Sequence, residues 1–101
     1  SNAEIGYVYR EVMRNLDKGA RQTVTESFSR DVVETELAAS GYRGDMRWAA
    51  DVVTKFINGN TGKNIIKALE NNEVVRQVAL DFMGDVQAIR AEYRSKAENI
   101  A

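Results

Sequence analysis

Residues 73–98 read EVVRQVALDFMGDVQAIRAEYRSKAE, and this stretch decides the fold. Val75, Ala79, Phe82, Val86, Ile89, Tyr93, Lys96 and Ile100 recur at alternating steps of four and three. That is a seven-residue repeat, the spacing of helices that wrap around a partner. No proline interrupts it, and its β-branched residues do not alternate with polar ones as a half-buried strand requires. The spacing predicts one helix over Glu73–Glu98, reaching about 39 Å at the α-helical rise. Beside the seam runs a narrower strip of Leu80, Gly84, Ala88 and Ala91. A glycine inside a helix costs about 1 kcal/mol relative to alanine, so the strip reads either as a place for close approach of a neighbouring helix or with Gly84 as a tolerated weak point or bend.

Working back toward the N-terminus, Asn71-Asn72 interrupts the pattern and Asn72 is placed to cap the long helix. Lys63–Glu70 reads as a short helix with Ile65, Ile66 and Leu69 inward, preceded by the loose loop Asn60-Thr61-Gly62. Met46–Asn58 follows Asp45, a suitable N-cap, and buries Ala49, Val52, Val53, Phe56 and Ile57. Trp48 lies beside that face and is expected to fill the core; Gly59 closes the segment. Thr23-Val24-Thr25-Glu26 has the form of a capping box and predicts a helix from Thr23 to Ser40-Gly41, with Val24, Phe28, Val32, Val33 and Leu37 on one face. On its wet side Glu26, Arg30 and Glu34 stand four apart, a spacing for ion pairs. Glu4–Lys18 carries Ile5, Val8, Val12 and Leu16 as a stripe, and Gly19 is expected to end it. The fold class that emerges is all-α: a small bundle of four or five helices with a long C-terminal helix.

At 101 residues the chain has the length of one domain. Ser1-Asn2-Ala3 matches the scar of a cleaved expression tag, and residues 4–101 read as a single helical domain excised from a larger protein. No apolar run of about 18 residues exists to span a membrane as a helix, and no signal peptide is present. The absence of cysteine suits the reduced cytosol.

The same composition narrows the chemistry. With no histidine and no cysteine, a Ser–His–Asp triad, a thiol nucleophile, a zinc site built on those ligands and the Glu-x-x-His di-iron pattern are all ruled out. Asp31 with Glu34 and Asp81 with Asp85 are paired carboxylates at helical spacing, but magnesium or calcium needs more oxygen ligands than two. Gly59-Asn60-Thr61-Gly62-Lys63-Asn64 lacks the glycine spacing, the Lys-Ser/Thr and the preceding strand of a phosphate loop, and reads as an interhelical connection. Arg43-Gly44-Asp45 is too short a motif to carry meaning, and Asp45 already has a capping role. No metal, cofactor or catalytic residue is assigned.

These features point to a non-catalytic helical module for protein–protein interaction or oligomerisation. The long helix is expected to meet another chain or a second copy through Phe82, Val86, Ile89 and Tyr93. The alternative is nucleic-acid or polyanion binding through Arg43, Arg47, Lys55, Lys63 and Lys67. The segment 42–72 holds these five cations against Asp45, Asp51 and Glu70. A helix–turn–helix over Glu36–Lys55 fits that alternative in outline, although Asp45 and Asp51 are unsuited to a DNA-reading helix and the net charge of −1 weighs against a dedicated nucleic-acid binder.

Overall fold

The spine of the protein is its last helix. In the computed structural model, which describes residues 1–100 apart from the side chain of Ile100, five helices follow one another with no strand among the described residues. They are α1 (Asn2–Ser27), α2 (Arg30–Ala39), α3 (Met46–Ile57), α4 (Lys63–Glu70) and α5 (Glu73–Ile100). The 28 residues of α5 extend about 42 Å. All four other helices pack against it. The expected fold class and the long C-terminal helix are therefore present; Ile100, the last position of the heptad, has its side chain outside the described residues.

The packing divides into a head and an arm. In the head, Val33 and Leu37 of α2, Ala49, Val53 and Ile57 of α3, and Val75, Val78 and Val86 of α5 are fully buried. Leu69 seats α4 on the same core. Valine and alanine dominate, so the helices approach closely and little volume is left to fill. The arm is α1 laid antiparallel on α5: Phe28, just past the end of α1, stacks on Phe82 with ring centroids 4.9 Å apart, while Thr23 meets Tyr93 farther along. The result measures 59 × 25 × 17 Å, with a radius of gyration of 16.8 Å. A compact chain of this length has a radius of about 13 Å, so the arm accounts for the excess.

Local signals explain most helix ends. Gly41 and Gly59 adopt φ of 91° and 98°, the left-handed geometry in which a Cβ is strained, and each follows a helix. The Asp45 carboxylate accepts the amide of Trp48 at 3.1 Å and caps α3 as expected. At the first helix Ser1 forms a capping box with Glu4: its hydroxyl accepts the Glu4 amide at 3.3 Å, and its amino group reaches the Glu4 carboxylate at 3.2 Å. Asn60 turns its carboxamide oxygen to the Gly62 amide at 2.9 Å, which fixes the loop before α4 as an ordinary connection.

The structure overturns the expected break between the first two segments. α1 runs straight through Gly19 and Thr23 to Ser27. The Thr23 hydroxyl caps nothing; it donates to the Gly19 carbonyl at 2.9 Å and lies 2.8 Å from the Tyr93 hydroxyl. Gly19 is inside the helix because the Tyr93 ring rests on it: a Cβ there would stand 2.8 Å from Cε1 of the ring. Lys96 holds the same ring with its ammonium 4.5 Å from the centroid. The actual break is at Phe28, with φ −121° and ψ 53°, and α2 starts after Ser29 with no side-chain cap. Because Glu26 and Arg30 thus fall on different helices, Arg30 turns instead to α3, where it lies 3.9 Å from Asp51. The strip of Leu80, Gly84, Ala88 and Ala91 faces outward and no described neighbour approaches Gly84 within 4 Å, so of the two readings the structure has the tolerated weak point and not the close helix contact. Trp48 is 40% exposed and does not fill the core.

The two helical glycines should respond oppositely to alanine. At Gly84, with open space around it, alanine is expected to stabilise by about 1 kcal/mol. At Gly19 the added methyl must displace Tyr93, so the same change is expected to destabilise, and to become stabilising by about 1 kcal/mol once Tyr93→Ala removes the ring. Urea unfolding of the single and double variants measures both signs; a Gly19→Ala gain in the presence of Tyr93 would contradict the contact.

Candidate functional site

The residues that the sequence nominates for a partner are placed against the chain's own helices. Phe82 and Val86 belong to the buried core, and Ile89 packs partly buried against it. Tyr93 is seated on Gly19 and Thr23 of α1. The apolar seam of α5 therefore has an intramolecular cover where a second chain was expected: the head core around Phe82, Val86 and Ile89, and α1 at Tyr93. The seam was expected to meet another chain or a second copy; in the structure these four residues contact helices of the same chain.

The central cations are exposed but do not form an uninterrupted patch. Arg47 and Lys55 follow one stripe of α3 with Asp51 between them, and the Lys55 ammonium is 2.9 Å from the Asp51 carboxylate. Arg30 reaches the same carboxylate and the Arg47 carbonyl. A shallow depression here is lined by Arg30, Asp45, Arg47, Trp48 and Asp51, so its charges largely cancel. Arg43 stands in the turn before α3, and Lys63 and Lys67 stand on the outer face of α4. Among the described residues no group of three or more acidic side chains is arranged to hold a metal ion.

The more developed cleft lies elsewhere, between α1 and α5. It encloses about 480 Å³. Ala20, Val24 and Ala97 form a buried floor, widened by the half-buried Met13 and Leu16. Asn58, at the end of α3, closes the side toward the head. Arg21 stands on the α1 rim, and Arg90 and Arg94 on the α5 rim; Asp17 is the one carboxylate among its described lining residues. Arg90 is half-buried, and its guanidinium donates to the Ile57 carbonyl at 3.5 Å, where a cation is favoured by the exposed carbonyls at the end of α3.

Sequence reading missed this cleft because its walls lie far apart in the chain. The i, i+4 pair Arg90/Arg94 was the available signal, since it puts two cations on one helix face. What no local pattern supplies is that the two helices stand side by side.

No family model, curated protein or solved structure matches the chain.

Burial separates the nominated seam from the exposed strip next to it. Phe82→Ala is expected to cost about 3–5 kcal/mol of unfolding free energy, the range for removing a packed aromatic ring. Leu80→Ala, at a position 51% exposed, is expected to change stability by no more than about 0.5 kcal/mol. Chemical denaturation monitored by circular dichroism distinguishes the two.

Proposed function

We propose that this domain is a non-catalytic helical module for protein–protein interaction or oligomerisation, acting through the α1–α5 arm rather than through the buried seam. The observation that carries this is the apolar start of α1. Ile5 is 68% exposed and Val8 59%, and Tyr9 joins them on the same stripe, which continues into Val12 and Leu16. Tyr7, also exposed, stands on the opposite side of the helix. Stripes of this kind on an otherwise charged helix are the usual mark of a helix that completes its packing with a partner. Burial of what Ile5 and Val8 still expose would contribute roughly 2–4 kcal/mol of hydrophobic free energy before the cost of association.

Self-association is the simplest mode, because an exposed apolar stripe can pair with its own copy about a two-fold axis. Nucleic-acid binding through Arg43, Arg47, Lys55, Lys63 and Lys67 is the weaker reading, with Asp45 and Asp51 placed among those cations and Lys55 already paired.

Sedimentation velocity from micromolar to millimolar concentration tests the proposal. The weight-average mass is expected to rise toward that of a dimer, and the double variant Ile5→Glu/Val8→Glu is expected to remain monomeric with an unchanged helical circular dichroism spectrum. A wild-type chain that stays monomeric throughout, or a double variant that associates equally well, removes oligomerisation through this stripe.

A further inference from the structure

The cleft beside α1 and α5 does not end at its own walls. It opens into a second depression of about 400 Å³ that shares Met13, Asp17 and Arg21 with it and continues along α1 to Tyr9. From Val24 to Tyr9 the combined groove follows about 22 Å of helix axis, the length of a helix of about 15 residues. α5 walls the part from Val24 to Met13, where a third helix seated on the pair makes a three-helix layer; from there to Tyr9 the groove is lined by α1 alone.

Its chemistry is divided. The floor is aliphatic, built from Met13, Leu16, Ala20, Val24 and Ala97. Guanidinium groups border it: Arg10, Arg14 and Arg21 along α1, and Arg90 and Arg94 of α5 facing Arg21 across the first part only. Arg14 is partly neutralised by Glu11 at 3.1 Å, and Asp17 adds one negative charge; the remaining rim is cationic. We propose that this groove receives an acidic amphipathic helix from another protein, its apolar face on the floor and its Glu or Asp side chains along both shoulders. This rests on the domain being an interaction module and names the chemistry of its partner.

Charge complementarity selects that occupant. An uncharged helix would cover the arginines without pairing them, and a lysine-bearing helix would be repelled. A nucleic acid would satisfy the arginines but has no apolar ridge for the aliphatic floor, where base stacking would call for aromatic side chains. A second copy fits less well. Its acidic helix α2 has Val33 and Leu37 committed to its own core, and the outer strip of its α5 offers Leu80 with Gly84 and Ala88, bordered by Asp81 and Asp85 along one edge only.

Fluorescence anisotropy of a labelled synthetic helix, about 15 residues long with leucine on one face and glutamate on both shoulders, provides the test. The full chain is expected to bind it, more weakly as salt rises, and to bind the matched lysine-shouldered peptide at least about tenfold less tightly. Reversing two exposed rim charges, Arg21→Glu/Arg94→Glu, is expected to weaken the acidic peptide by at least about tenfold and to invert the preference, with thermal unfolding unchanged. Equal binding of both peptides, no binding of either, or indifference to the charge reversal overturns the proposal. So does tighter binding of a DNA duplex that the same reversal abolishes, which assigns the groove to phosphates. Self-association lost in Asp81→Lys/Asp85→Lys assigns it to a second copy and overturns it too. A chain that self-associates through Ile5 and Val8 yet ignores the acidic peptide keeps the module and loses only this partner.

Discussion

The constraint on which the structure depends is that α5 carries an apolar seam longer than the head can cover. α2, α3 and α4 bury its first half, around Val75, Val78 and Val86. Past Arg90, which still reaches the end of α3, the seam continues through Tyr93 to Ala97. Only α1 reaches that far, and it must be continuous to do so. This is why a glycine is tolerated in its middle. The backbone cost of Gly19 is offset by the contact of the Tyr93 ring with the helix surface, and the Thr23 hydroxyl fixes the tip of that ring.

A layer only two helices thick buries one face of each and leaves the flanks to solvent. In the head a third and fourth helix close those flanks. In the arm no further described helix does, and on one flank Met13 and Leu16 remain half-exposed above the buried Ala20, Val24 and Ala97, beside arginines of both helices. The basic character of the protein is thus spatially sorted although its net charge is −1. Cations around α3 are neutralised locally by Asp51 and Asp45, whereas those on the arm flank face each other with less acid between them. Charge composition along the sequence pointed to residues 42–72; charge in space points to the arm.

What was legible in the sequence is what local physics decides. The helical period of α5, the left-handed glycines at Gly41 and Gly59, and the Asp45 cap each depend on a few neighbouring residues, and each is where it was expected. The errors share one cause. Thr23 and Gly19 have the same local appearance whether they end helices or receive a tyrosine from 70 residues away, and only the distant partner distinguishes the two. The break at Phe28-Ser29 carries neither glycine nor proline; it is set by the docking of Phe28 on Phe82. The heptad of α5 was read as a seam for another chain or a second copy, because the repeat shows that a helix lies on it but not that helices of the same chain reach it. For the candidate groove, the Arg90/Arg94 pair was visible and its position facing Arg21 was not, since that follows from the antiparallel pairing of the two longest helices.

The division between head and arm also sets how the native state opens. Amides in α3 and in the first half of α5 are surrounded by fully buried valines and can exchange their hydrogens with solvent only when the whole core comes apart. Those in the first turns of α1 have neither a buried neighbour nor a tertiary contact to break, so they exchange through fraying alone. Between them, at Gly19 and Thr23, one tyrosine acts as a latch, and the protection of the arm ends where its hold ends.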